Sequence, residues 1–194
     1  MTTFIYIVLI VLQLAVIFFV LRKRGKKEQA AHQQPVHAPD SFEHHRALAL
    51  SVTPAQMQLA IPATELFVYG IVFDWNMADM IISLATYVNG AASLYMSNGG
   101  SISGGGTNPQ VATMASVFVT SGQQFVQRTV PTAGDSLPSR GCVRFHMLTN
   151  HGTMGAQEQV VFFDGGHSHW QPLFEQANLI IAAIRNNTVS TTVH

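Results

Sequence analysis

The pattern of hydrophobic and polar positions divides the chain of 194 residues into four segments. Residues 2–21 form an unbroken apolar stretch without a charged side chain, and residues 22–52 are polar, basic at their start and interrupted by prolines. Between residues 53 and 186, short apolar segments alternate with turn-forming residues, and residues 187–194 are polar again. This pattern predicts a membrane-spanning helix, a basic collar with a flexible linker, one folded domain and a disordered tail.

Residues 2–21 are long enough to cross a bilayer as a helix, because about 20 helical residues rise about 30 Å, the thickness of its hydrocarbon core. Five basic residues follow this segment: Arg22, Lys23, Arg24, Lys26 and Lys27. Basic flanks stay in the cytoplasm and attract anionic lipid headgroups. We therefore expect an uncleaved single-pass protein of the bacterial inner (plasma) membrane, bound to the lipid bilayer, with its N-terminus outside and its domain in the cytoplasm.

Gln13 is the one strongly polar side chain in the middle of this apolar segment. An amide in hydrocarbon gains a hydrogen bond when a neighbouring helix supplies a partner. The residue therefore indicates helix association, with another copy or with another membrane subunit. A single tolerated amide in a very apolar helix is the alternative, and the sequence leaves both open.

Within the predicted domain, the apolar positions change between the two-residue period of strands and the 3.6-residue period of helices. Segments with strand character are 66–75, 80–88, 91–97, 142–149 and 153–163, and segments with helical spacing are 108–129 and 168–186. In the linker before the domain, Ser41 begins a further short helix that runs to about Leu50. The order βββ-α-ββ-α predicts an α+β domain, with an antiparallel sheet of about five strands and packed helices. Its layout resembles that of profilin-like or roadblock-like domains.

The domain carries few charges, and their balance narrows the possible partners. The chain has ten basic and ten acidic residues, but from Leu48 onward four arginines stand against seven acids. A mildly acidic domain with scattered arginines excludes a nucleic-acid footprint. A surface this poor in charge is easier to explain if an unknown protein partner, or another copy of the chain, covers part of it. Cys142 is the single cysteine, so no intrachain disulfide forms.

A glycine-rich loop at residues 97–107 connects a predicted strand to a predicted helix. Backbone N–H groups at such a junction can cradle a phosphate or a carboxylate, aided by the helix dipole. The residues that would do so are Asn98, Gly99, Gly100, Gly104, Gly105, Gly106 and Thr107. The loop lacks the Gly-Lys-Ser/Thr of a P-loop and the spacing of a dinucleotide fingerprint. An anion or nucleotide site and a purely structural turn therefore both remain open.

Two sets of reactive side chains lie on predicted strands. Cys142, Arg144 and His146 alternate along one strand and share a face, but about 13 Å separates the first from the last, which excludes a direct Cys–His hydrogen bond. We expect this face to be exposed or covered by a partner. Asp74 and Asp79 flank the first predicted turn, where aspartates usually form local hydrogen bonds.

Asp164, His167 and His169 precede the last predicted helix, at a spacing that could contribute to a zinc site. The competing explanation is a glycine turn followed by Ser168 as the cap of the helix. The sequence therefore predicts no catalytic residue, no metal site beyond this weak set and no cofactor. It leaves enzyme activity open and favours a non-enzymatic role.

Three runs of sequence carry a resemblance to other proteins: VYGIVFDW at 68–75, SLYMSNGGSISGGG at 93–106 and VRFHMLTNHG at 143–152. The chain resembles a group of bacterial proteins with similar strand, glycine-loop and helix blocks. No activity is established for that group, so the resemblance implies a shared domain and no particular function.

Three functions are compatible with these observations. The first is a membrane-tethered cytoplasmic interaction or scaffold module, which rests on the apolar segment and the weakly charged surface. The second is a subunit of a larger membrane complex that assembles through the transmembrane helix. The third is an anion- or nucleotide-binding sensor or enzyme that uses the loop at 97–107.

Overall fold

The computed structural model describes residues 41–62 and 64–191, which form an α+β fold. Its helices are α1 (Phe42–Ser51), α2 (Pro109–Gly122), α3 (Val161–Asp164) and α4 (Gln171–Thr191). Its strands are β1 (Val68–Asn76), β2 (Ile81–Tyr87), β3 (Ala92–Met96), β4 (Ser101–Ile102), β5 (Val130–Pro131), β6 (Cys142–Thr149) and β7 (Gly152–Gln159). Two short 3-10 helices, Gly105–Thr107 and Val126–Arg128, flank α2.

One antiparallel sheet contains these strands in the order β4-β3-β2-β1-β6-β7-β5. The central strand β1 pairs with β2 on one side and with β6 on the other. The turn between β2 and β3 has Gly90 at a φ of 84°, a left-handed conformation that favours glycine. Asn89 accepts a hydrogen bond from Ala91 N through its side chain, at 3.1 Å. The Asn-Gly pair therefore forms a tight hairpin turn, with a positive φ at the glycine alone.

The alternation of side chains along β1 gives the sheet two different faces. Ile71 and Phe73 point to the face that α2 and α4 cover, where they are fully buried. Phe118 of α2 and Leu173 of α4 pack in the same cluster. The 3-4 spacing of apolar residues in both helices aligns them in stripes that fill this main core.

The opposite face of the sheet is covered by α1, and it carries a smaller cluster of Ala49, Tyr69, Val72, Ala85 and Leu148. Helix α1 begins as the sequence predicts, because the Ser41 hydroxyl accepts a hydrogen bond from His44 N at 3.1 Å. The loop between β5 and β6 lies over the same face, since its backbone binds a side chain of α1.

The α+β class of the prediction fits the structure, but the predicted number of strands is wrong. The sheet has seven strands rather than about five. The additional strands, β4 and β5, contribute two residues each at the two edges of the sheet, and two residues are too few to show an alternating pattern. The last predicted strand, 153–163, is also too long, because β7 ends at Gln159 and α3 follows it.

No helix within residues 41–62 and 64–191 is long and apolar enough to span a membrane. Helix α4 is 21 residues long, but it exposes Glu175 and Arg185 on the side away from the sheet. The predicted span at residues 2–21, with Gln13, and the basic collar at residues 22–27 lie outside the described residues. The finding contradicts the prediction of a single-pass inner-membrane protein, so the transmembrane helix, its orientation and the membrane localisation are withdrawn.

Candidate functional site

Strand β4 divides the predicted glycine-loop site into two separate turns. Asn98, Gly99 and Gly100 form a tight turn between β3 and β4, in which Met96 N donates to Gly100 O at 2.8 Å. Gly100 N donates to the side-chain oxygen of Asn98 at 3.3 Å. Residues 104–107 form the 3-10 turn before α2. The predicted ligand-binding residues therefore do not converge as one cradle.

Gly105 and Gly106 allow this second turn to pack closely against neighbouring parts of the chain. A Cβ atom added to Gly106 would clash with the carbonyl oxygen of Gly90 and approach the Cα atom of Ala91 to 2.9 Å. A Cβ atom on Gly105 would lie 3.1 Å from the side chain of Ile184. The absence of side chains lets the 3-10 turn lie directly against the β2–β3 hairpin, which is a structural reason for these glycines.

The N-terminus of α2 already has an acceptor from the chain itself. The side-chain oxygen of Asn108 accepts from Gln110 N at 2.9 Å and from Val111 N at 3.2 Å. The Thr107 hydroxyl donates to Gly104 O at 2.8 Å. An open cavity of about 300 Å³ lies beside this cap, between the loop and residues Ile184 and Asn187 of α4. The cap competes with an anion for the donors that the sequence suggested.

The predicted set of Asp164, His167 and His169 lies on the surface after α3, and each of its side chains is exposed. In the part of the chain that the structure describes, no group of three His, Cys, Asp or Glu side chains is placed to hold a metal ion. The buried Ser168 hydroxyl accepts a hydrogen bond from Trp170 N at 3.0 Å. This segment is therefore a turn that leads into α4.

The structure brings together a buried polar cluster that the sequence did not predict: Arg46 of α1, Asp74 of β1, Ser83 of β2 and His146 of β6. Asp74 is fully buried and points to the face that α1 covers. Its Oδ2 atom accepts from Arg46 Nη2 at 2.6 Å and Nε at 3.0 Å, and lies 3.1 Å from His146 Nε2. The Ser83 hydroxyl donates to Oδ1. Asp74 therefore forms long-range hydrogen bonds, and the prediction of local turn bonds at this residue is wrong.

Arg46 connects this cluster to the loop before β6. Its guanidinium donates to the carbonyl oxygens of Gly134, Asp135 and Ser136, at distances of 3.4, 3.0 and 3.2 Å. The side chain is almost completely buried, with 5% of its surface exposed. Arg144 of β6 donates to Ser136 as well. The guanidinium thus holds α1, the sheet and the covering loop in one arrangement.

Burial by itself would raise the pKa of Asp74, because desolvation disfavours the charged carboxylate. Hydrogen bonds from His146 and Arg46 and the positive charge of Arg46 outweigh that effect, so the pKa of Asp74 lies below its ordinary value. Asp74 is therefore charged at neutral pH, and the cluster contains a buried ion pair.

The geometry of the cluster does not match nucleophilic catalysis. In a Ser-His-Asp triad the imidazole stands between the hydroxyl and the carboxylate. Here the carboxylate of Asp74 stands between Ser83 and His146, so the imidazole does not accept the hydroxyl proton. Asp74, Ser83 and His146 have no exposed surface, which excludes a substrate from this arrangement. Cys142 lies on the same strand face and is also buried.

Two tyrosine hydroxyls complete the attachment of α1 to the sheet. Tyr87 donates to Ala49 O, and Tyr69 donates to Val52 O, both at 2.8 Å. These carbonyl groups belong to the C-terminal end of the helix, where they have no partner within the helix itself. The face predicted to be exposed or covered by a partner is thus covered by the chain's own helix and loop.

The opposite surface of the domain has no such covering in the part of the chain that the structure describes. We call the solvent-facing side of α2 and α4 the outer helical face. It exposes Val117 of α2 by 54% and Leu179 of α4 by 61%. Helix α2 contains no charged residue, and Glu175 and Arg185 are the charged residues of α4. The outer helical face therefore exposes apolar side chains and carries few charges.

Comparison of the chain with protein-family models, with curated proteins and with solved structures finds no match.

Proposed function

We propose that the domain is a protein-interaction module whose binding surface is the outer helical face. The observation that carries this proposal is the combination of exposed apolar side chains with a near absence of charge along α2 and α4. Exposed helix faces of globular proteins usually carry charged and polar residues. Apolar side chains with few charges around them are typical of the central part of a binding surface.

The other side of the domain supports the choice of this face. The buried Arg46–Asp74 ion pair and the two tyrosine hydroxyls bind α1 to the sheet. The sheet face under α1 is therefore occupied by contacts within the chain, whereas the outer helical face exposes apolar side chains to solvent. Leu179 is 61% exposed, so burial of its remaining surface would contribute about 1–2 kcal/mol to a complex.

Site-specific photo-crosslinking in cells tests the proposal. A photoreactive amino acid at Leu179 or Val117 should give discrete crosslinked products, which mass spectrometry then identifies. The matched control is Leu48 on α1, which is 53% exposed on the other side of the sheet. Products that form equally from Leu48, or no products from Leu179 and Val117, would reject this function.

A second candidate is the binding of a small anion or nucleotide in the cavity beside the glycine loop. Its support is the cavity of about 300 Å³ next to the backbone of Gly104 and Gly105. Inorganic phosphate and ATP are suitable probes, because a ligand that binds the folded state raises the midpoint of thermal unfolding by mass action. A shift that Thr107→Ala removes would support this candidate, and unchanged midpoints at millimolar concentrations would exclude it.

A further inference from the structure

The exposed side of α4 carries complementary residues on the two sides of the middle of the helix. Glu175, Leu179 and Ala182 are exposed and follow one another at spacings of four and three residues, which places them on one side of the helix. Arg185 is exposed one further turn along. The stripe thus begins with an acid, ends near a base, and has a large and a small apolar residue between them.

A stripe of this kind is complementary to itself when two copies pack antiparallel. A two-fold axis that passes between residues 180 and 181 places Leu179 of one chain opposite Ala182 of the second copy. The large side chain then has the space that the alanine leaves, as in the packing of a side-chain knob into a hole. The same two-fold axis places Glu175 of one chain next to the segment that contains Arg185 in the second copy. Both contacts occur twice, as an isologous interface requires.

We propose that the outer helical face is a homodimer interface in which α4 packs antiparallel against α4 of a second copy. The inference rests on the proposed function and identifies the partner of that module. Val117 of the adjoining helix α2 lies in the same helical layer and extends the apolar surface beside the two-fold axis. An unrelated partner would need its own complementary charges opposite Glu175 and Arg185. A second copy of the chain matches them by symmetry.

Charge reversal in the full-length chain tests the proposed pairing. Glu175→Arg places two arginines at each end of the interface, and Arg185→Glu places two glutamates there. Each single variant should weaken dimerisation by about tenfold, because like charges replace opposite ones at two symmetric places. The double variant should restore the dissociation constant of the unmodified chain. Analytical ultracentrifugation measures the constants, and a double variant no better than the single ones would overturn the pairing.

Cysteine crosslinking tests the antiparallel register independently of affinity. In a Cys142→Ala background, one tagged chain carries Leu179→Cys and a second, differently tagged chain carries Ala182→Cys. Oxidation should join the two chains more efficiently than either chain with itself. A mixture of Leu48→Cys and Ala182→Cys chains is the control and should not crosslink.

The outcomes separate this inference from the proposed function. A monomeric chain that still gives crosslinks from Leu179 to a different protein would overturn the homodimer and leave the interaction module intact. A monomer without site-dependent crosslinks would reject both. The α4 pairing would be overturned by a dimer whose dissociation constant does not change with the charge reversals and whose crosslinking does not depend on the cysteine positions.

Discussion

At the scale of single residues, the negative charge of Asp74 is stabilised by hydrogen-bond donors from three separate elements. Arg46 comes from α1, Ser83 from β2 and His146 from β6. A carboxylate that is removed from water is stable only when its oxygen atoms accept hydrogen bonds and an opposite charge is near. The cluster therefore makes the position of α1 depend on the charge state of one buried residue.

Replacing Asp74 by alanine should lower the free energy of unfolding by about 3–5 kcal/mol, because the Arg46 guanidinium remains buried without its carboxylate. Asp79→Ala is the matched control, since Asp79 is exposed in the β1–β2 turn and its loss should change stability by less than about 0.5 kcal/mol. Urea unfolding of the two variants measures the difference. Equal losses for both would contradict a structural role for the ion pair.

The stability of the fold should also depend on the protonation of Asp74. Its pKa is lower in the folded chain than its ordinary value of 3.8, so the unfolded chain takes up the proton first as the pH falls. The stabilisation is complete above the ordinary pKa and is lost as the pH falls through the folded-state pKa. Unfolding free energies measured from pH 6 downward should decline more steeply below about pH 4 for the unmodified chain than for Asp74→Asn. Parallel curves would mean that other groups dominate the acid response.

At the scale of elements, the longer strands and helices could be predicted from the sequence, and so could the antiparallel pairing of strands that follow one another along the chain. The long-range pairing of β1 with β6 could not. β1, β2, β3 and β6 are apolar-rich segments of five to nine residues, whereas β4 and β5 are two residues long. The contact between Arg46 and Asp74 joins positions 28 residues apart, and no local pattern encodes it. The periodicity does place each of the two charges on a buried face, so it marks both as residues that need a partner without identifying the pair.

The attachment of α1 should weaken when the tyrosine hydroxyls are removed. Tyr69→Phe and Tyr87→Phe each leave a carbonyl oxygen at the end of α1 without its donor, at an expected loss of about 1 kcal/mol per hydrogen bond. The effect should be local, so amide hydrogen exchange should accelerate in α1 more than in β1. Tyr95→Phe is the control, since the Tyr95 ring stacks on His45 and the substitution keeps that contact. An equal acceleration throughout the sheet would contradict the local effect.

The glycine loop offers a test of its structural role. Gly106→Ala places a methyl group against the backbone of the β2–β3 hairpin and should lower the unfolding free energy by about 1–3 kcal/mol. Ser103→Ala changes an exposed residue of the same loop and should have little effect. Both values follow from urea unfolding in buffer without phosphate. A Gly106→Ala chain of normal stability would show that the hairpin and the 3-10 turn can separate at little cost.

At the scale of the whole molecule, the two sides of the sheet differ in the elements that cover them. One side is covered by α1 and the loop before β6, which the buried cluster fixes in place. The other is covered by α2 and α4, whose inner stripes fill the main core and whose outer side is poorly charged. The full chain has a formal net charge of zero, so charge repulsion gives little protection against association. The weak net charge is compatible with the proposed association through the outer helical face.

Substitution of both Val117 and Leu179 by lysine should separate association from stability. These side chains are more than half exposed, so their replacement should change the free energy of unfolding by less than about 1 kcal/mol. It should nevertheless abolish self-association at micromolar concentrations, because two lysines per chain would have to be buried in the interface. Leu48→Lys adds charge to the opposite side and serves as the control for the net-charge effect alone. If Leu48→Lys dispersed the chains as well as the double variant, association would depend on net charge, and the outer helical face would have no special part in it.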